Sequence, residues 1–286
     1  MTPEMETEYR GALEAALRAG WDVLEKGGPA LDAVEASVVS LEDFPLFNAG
    51  RGSVFTHEGK NELDAAIMDG SNQKAGAVAF VRNVKNPVRL ARLVMEKTPH
   101  VLLAGDGADR FAEEIGAQLV DTTYYYTDFR WKQLEEAVAA ERVQLDHAAA
   151  KPMSTVGAVA CDSQGRLASA TSTGGMTNKR YGRVGDTAII GAGTYANDIC
   201  AISCTGHGEF FIREVTGHDL ASRMKFKGMS LQDAANETIN QLTSIGGEGG
   251  FIAVDSSGNV VLPFNSEGMY RGWMETAGDL KIEIYR

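Results

Sequence analysis

The sequence predicts an α+β protein in which amphipathic helices cover the outer faces of β-sheets. Three observations carry this reading. Apolar residues recur at helical spacing through residues 5–43. Later segments set short apolar runs on either side of glycine-containing turns, as hairpins do. The strands also come in groups separated by pairs of helices, not in strict strand–helix alternation.

The elements follow in order. "METEYRGALEAALRAGWDVLEK" (5–26) places Leu13, Ala16, Leu17, Trp21 and Leu24 on one helical face, and Gly27-Gly28 end it. "PALDAVEASVVSLED" (29–43) carries Pro29 in its first turn and a stripe of Leu31, Val34, Val38 and Leu41. Strands are expected around 52–56, 63–68 and 75–84, with amphipathic helices at 86–98 and 128–143. Downstream, "TVGAVACD" and "RLASATST" flank "SQG" as a hairpin, and "GGFIAVDSSGNVVLPFNS" (249–266) repeats that plan. Two helices, roughly 208–227 and 230–244, lie between the hairpins. A linker is expected only at about 144–154, inside what otherwise reads as one structural domain.

Composition narrows the function. The 286 residues hold 39 acidic and 27 basic side chains, a net charge of −12. A polyanionic partner needs a basic surface that releases counterions, so nucleic acid is excluded as a partner. Cys161, Cys200 and Cys204 are odd in number and lack metal-binding spacing, as expected of reduced thiols in the cytoplasm. "MTPEMETEYRG" has neither the basic nor the apolar region of a signal peptide. No apolar run is long enough to span a membrane.

Thr155 stands where a small-residue stretch, "LDHAAAKPMS", meets a strand. A β-branched residue opening a strand is ordinary on propensity alone. A Ser-Thr bond there also suits a self-cleaving threonine hydrolase, in which the hydroxyl attacks the preceding carbonyl and water then frees a new N-terminus. The freed α-amine, with a reference pKa of about 7.7–8.0, serves as the base for its own hydroxyl. "TSTGGMTNKRYGRVGD" (171–186) adds Thr173, Arg183 and Asp186, readable as a turn with a surface ion pair or as a grip on an amino acid's carboxylate and ammonium. In "SCTGHGEFF" (203–211), Thr205 and Gly206 precede a helix, where a hydroxyl and an N–H suit an oxyanion. His207 lacks partners for a metal. "TAIIGAGTYA" (187–196) has the form of a dinucleotide fingerprint, but a short glycine-interrupted stretch follows in place of a helix and second strand, which argues against that cofactor.

Together, "PLFNAGRGSVFTHEGKNELDAAIMDG" (45–70), "STVGAVACDSQGRLASATSTGGMTNKRYGRVGD" (154–186), "SCTGHGEFFIR" (203–213) and "LPFNSEGMYRG" (262–272) resemble the plant-type asparaginase and isoaspartyl peptidase family of N-terminal nucleophile hydrolases. The resemblance covers nearly the whole chain. It implies a four-layer αββα sandwich, cut between Ser154 and Thr155 into an α part (1–154) and a β part (155–286), and assembled as a homodimer of αβ units. It implies hydrolysis of L-asparagine and β-aspartyl dipeptides, small-molecule substrates that need no catalytic cofactor. Thr155 corresponds to the nucleophile and Thr173 to the hydroxyl that orients it. Thr205 and Gly206 match the oxyanion donors, Arg183 and Asp186 the substrate grip, and Gly208 the wall of the same pocket. Asn48 matches the asparagine that approaches the nucleophile. The backbone carbonyls of Leu41, Glu42, Phe44, Phe47, Ala49 and Arg51 match a loop that cages a structural sodium ion, a hard cation suited to oxygen ligands.

The chain departs from the family twice. Ser154 stands where the family has glycine, and its Cβ crowds the peptide that undergoes the acyl shift. The family also opens with a strand and a His-Gly-Gly turn that precede the first residues here, so that strand is expected to be missing and its neighbour to expose ladder groups. Two other readings therefore stay beside the hydrolase: an unprocessed, N-terminally truncated, inactive relative, and a glycosylasparaginase or threonine-aspartase cousin.

Overall fold

The computed structural model describes residues 1–141, 155–275 and 279–286. Two helices open the chain. In α1 (Pro3–Glu25) Thr2 caps the N-terminus by accepting the Met5 N–H, and Gly27, at a φ of +78°, turns the chain toward α2 (Ala30–Glu42). The two helices pack closely: a Cβ on Gly20 would come within 2.3 Å of the Ser37 hydroxyl.

Next come β1 (Leu63–Asp69), β2 (Ala75–Val81), α3 (Pro87–Lys97), β3 (Leu102–Ala104), α4 (Gly105–Glu114) and α5 (Asp128–Ala139). After residue 155 the order is β4 (Val156–Cys161), β5 (Leu167–Thr173), β6 (Thr194–Ala196), β7 (Cys200–Gly206), α6 (Gly208–Glu214), α7 (Thr216–Lys227), α8 (Leu231–Ser244), β8 (Gly249–Asp255), β9 (Val260–Val261), β10 (Gly268–Met274) and β11 (Leu280–Tyr285). Among the described residues one sheet has the order β3-β2-β1-β5-β4, another β6-β7-β8-β9, and β10 and β11 form a two-stranded sheet.

Alternation along the strands sorts side chains between two cores. Outward-facing Ala65, Ile67, Val78 and Ala170 pack with Val34 and Val38 of α2 and Leu90 and Val94 of α3. Each fully buried Ile or Leu of that cluster stabilises the fold by ~1.5–3 kcal/mol relative to exposure. On the other face, Met68 and Leu167 meet Ala196, Ala201 and Val254 of the second sheet. Polar contacts join the sheets as well, with Ser169 Oγ donating to the Ile202 carbonyl at 2.7 Å and Thr171 Oγ 2.7 Å from Ser203 Oγ. A Cβ on Gly157 would sit 1.9 Å from Ser203 Oγ, so β4 and β7 come together only because residue 157 is glycine. The far face of the second sheet buries Ile202, Cys204 and Phe251 against Phe211, Leu220 and Leu242 of α6, α7 and α8.

Several expectations need correction. Residues 52–56 form no strand: a short 3-10 turn spans Gly50–Gly52, and Thr56 makes one isolated bridge to Lys179. The Asn61 side chain serves the Ser53 and Val54 carbonyls, doing what a neighbouring strand would do. The 208–227 stretch is two helices, split at Val215, whose φ of +48° interrupts the ladder. The Gly191–Gly193 loop leads into a strand, not a helix, which removes the dinucleotide reading. The helix expected over 128–143 ends at Ala139, and residues 142–143, the linker at 144–154 and Ser154 lie outside the described residues. The strand β4 is an edge of its sheet, and it lines, with α1, α2 and β10, an apolar cavity of about 410 Å³. No helix among the described residues is long and apolar enough to cross a membrane.

Candidate active site

Thr155 stands immediately before β4. The antiparallel register that sets Val156 opposite Ser172 brings it to Thr173, the last residue of β5. Their hydroxyl oxygens lie 3.1 Å apart. Thr173 Oγ1 also accepts the Gly175 N–H at 3.0 Å, which leaves its own proton available to Thr155. Gly157, Thr171 and Ser203 meet where the two sheets converge. Thr155, Thr173 and Thr205 each lie two positions along the same strands, so alternation turns all three toward the same end of that interface.

The next residues shape the wall beside this pair. Gly206, at a φ of +149°, ends β7, and a Cβ there would approach the Glu248 carbonyl to 2.4 Å. Only glycine places its N–H there without displacing that backbone. Asn48 clamps the turn after Thr173: its Nδ2 donates to the Gly175 carbonyl at 2.7 Å, its carbonyl accepts the Gly174 N–H at 3.0 Å, and its Oδ1 accepts the Val54 N–H at 3.0 Å. Its side chain thus orders the turn that orders Thr173.

Arg183 and Asp186 are not a surface ion pair. Asp186 is buried, its Oδ2 without a hydrogen-bond partner among the described residues, and burial raises its pKa to about 7 despite the opposing Arg183 charge. A Cβ on Gly208 would come within 2.9 Å of both Arg183 Nη2 and Asp186 Oδ1, so this glycine keeps the space between cation and anion open. A guanidinium and a buried carboxylate that face one open space are together the complement of a zwitterionic amino acid.

Sequence reasoning missed three charged groups here. Asp64 lies opposite Thr173 in the β1–β5 register, is fully buried, and accepts the Phe80 N–H at 3.1 Å. Burial pushes its pKa up, and the charges of Lys179 and Arg183 oppose that rise. Lys179 is buried too, donating to the Glu62 carbonyl at 2.8 Å; burial lowers its pKa against the pull of Asp64. Glu209, in the first turn of α6, takes the Arg183 fork through Nε at 2.9 Å and Nη2 at 3.1 Å. The signal for Asp64 was an acid near the start of a strand, "LDAAIMD", whose next four residues are all apolar.

The predicted sodium loop begins in the last turn of α2. The Glu42 carbonyl lies against Gly50 and the Phe47 carbonyl against Gly52, where Cβ atoms would approach to 2.3 and 2.2 Å. Leu41 O already accepts the Phe44 N–H at 3.2 Å and Ala49 O the Gly52 N–H at 3.1 Å. A carbonyl has a second lone pair, which leaves the Ala49 oxygen compatible with a hard cation, whereas Leu41 O also takes the Asp43 N–H. Among the described residues no group of three or more His, Cys, Asp or Glu side chains is placed to hold a metal.

Comparison with known proteins places the chain among characterised relatives. A family model described as Asparaginase matches residues 1–284. The isoaspartyl peptidase of Salmonella typhimurium is 51% identical across 100% of the chain and 94% of its own length. That of Escherichia coli is 48% identical, over 100% of the chain and 91% of its own length. An isoaspartyl peptidase/L-asparaginase of Xenopus laevis is 45% identical, over 99% and 91% respectively.

Proposed function

The chain belongs to the asparaginase family matched over residues 1–284, and from that membership we propose that it hydrolyses the side-chain amide of L-asparagine and of β-aspartyl dipeptides, releasing L-aspartate. The observation that carries the reading is the Thr155–Thr173 hydroxyl pair, 3.1 Å apart at the start of β4. Cleavage before Thr155 frees the α-amine that activates the hydroxyl. Thr155 Oγ1 then attacks the amide carbon while the α-amine takes its proton. The Thr205 hydroxyl and the Gly206 N–H stabilise the oxyanion. The proton passes to the departing nitrogen, leaving as ammonia or as the amine of the second residue. Water hydrolyses the resulting ester and restores Thr155. Arg183 holds the α-carboxylate and Asp186 the α-ammonium, with Gly208 leaving room for both.

Helices on the outer faces of two apposed sheets support a four-layer αββα reading of the fold. The Leu41–Arg51 carbonyls would hold a structural sodium ion, and melting points that do not change when sodium is replaced by choline would remove it. The cut chains would pair as a dimer of αβ units, which sedimentation at a single αβ mass would overturn. The central experiment uses the intact protein. On a denaturing gel it should resolve into two fragments of about half the mass each, the second beginning at Thr155 by mass spectrometry, and the processed protein should release aspartate from both substrates. A persistent full-length band without aspartate release would support the unprocessed, inactive reading.

A further inference from the structure

The Arg183 guanidinium has two edges, and the structure gives them different surroundings. Its Nε–Nη2 edge is taken by both oxygens of Glu209, at 2.9 and 3.1 Å. Its Nη1 lies against two glycines, with Cβ positions 3.4 Å away at Gly175 and 2.9 Å away at Gly185. Gly175 is the residue whose N–H binds Thr173 Oγ1. The edge opposite Glu209 therefore faces the turn that orders the nucleophile. The Arg183 side chain is only 17% exposed, whereas that of Glu209 is 52% exposed, so the acid reaches in from the rim and the cation sits inside. A guanidinium on a flexible stem gains geometric definition from a two-point contact of this kind.

We infer that Glu209 is a positioning residue for substrate recognition: it fixes Arg183 by its outer edge and so presents the Nη1–Nη2 edge to the α-carboxylate of the amino-acid substrate. This rests on the proposed hydrolase reading. It makes Glu209 part of what lets the site tell an α-carboxylate from a neutral α-amide. The competing arrangement is a gate, in which Glu209 occupies Arg183 until substrate displaces it. The two differ in sign: loss of a positioning acid weakens substrate binding, and loss of a gate strengthens it.

The test is steady-state hydrolysis by fully processed wild type and Glu209→Gln, using L-asparagine and its α-carboxamide analogue. The variant keeps the side-chain length and exchanges a charge-assisted pair for a neutral bond, so KM for asparagine should rise about tenfold with kcat little changed. The preference for asparagine over the carboxamide should shrink by a similar factor. Chain cleavage and melting temperature should match wild type, since Glu209 is half exposed. A KM that is unchanged or lowered, with the carboxylate preference intact, would overturn the inference. If Glu209→Gln fails to mature, Glu209→Asp gives the same decision, because its shorter carboxylate cannot hold both nitrogens and should also raise KM. Wild-type protein inactive on both compounds would instead refute the hydrolase reading.

Discussion

Thr155→Ala abolishes both cleavage of the chain and hydrolysis of substrate. The two losses are tied because one residue supplies the hydroxyl for the acyl shift, and afterwards both the nucleophile and the amine that activates it. The structure holds that hydroxyl 3.1 Å from Thr173, and the proposed oxyanion donors and substrate grip complete the site. Removing a nucleophile from such a site leaves binding and oxyanion stabilisation, and costs on the order of 10⁴-fold or more in rate. Thr155→Ser keeps the hydroxyl and loses only the methyl that restricts its rotamer, so it should retain part of both activities. The readings are the full-length band on a denaturing gel and aspartate release at long incubation. A Thr155→Ala protein that still splits before residue 155 would refute self-cleavage by this residue.

Much of this arrangement is legible in the sequence, because local rules and tertiary demands agree there. Pro29 and the stripe of Val34, Val38 and Leu41 mark α2, and a glycine-containing turn between two small-residue runs marks the β4–β5 hairpin. The order of hairpin, helices, hairpin likewise announces two sheets with helical cover. Where reading failed, the structure shows a competing force. Residues 52–56 looked like a strand, yet the Ser53 and Val54 carbonyls are served by Asn61 and Gly52 packs against the Pro45 and Phe47 carbonyls. Gly105 and Gly107 disguise α4, whose Ala108 and Ala112 are buried all the same. The C-terminal pair β10–β11 escapes a pattern reading because charged residues (Arg271, Lys281, Glu283) interrupt its apolar ones. In the site, Thr155, Thr173, Arg183 and Asp186 stood out through motif and chemistry. Asp64, Lys179 and Glu209 did not, because their importance lies in charges brought together by strand register and by the α6 turn.

Arg183→Ala should leave cleavage of the chain intact and cripple binding of asparagine. The precursor presents no free α-carboxylate, so only the substrate depends on the guanidinium. Truncation also removes the counter-charge of Glu209 and of the buried Asp186, whose pKa Arg183 holds down. Losing one partner of a desolvated charge pair costs about 2–5 kcal/mol, read here as a rise in KM with maturation unchanged. The neighbouring carboxylate gives the same pocket a pH signature. Burial raises Asp186 to about 7 in the free protein, and only its ionised form attracts the substrate ammonium. Protonation below that value removes the attraction, so kcat/KM for asparagine should fall as pH drops through about 7, the region where the free-enzyme group titrates. In Asp186→Asn the overall value should be lower and that acidic limb flattened. A limb that persists unchanged in this variant assigns the titration to the Thr155 amine, whose reference pKa of about 7.7–8.0 lies close enough to produce a similar profile. With Arg183 replaced, the charge that lowers Asp186 is gone, so in Arg183→Ala the limb should move to higher pH; a shift to lower pH would contradict the coupling of these two residues.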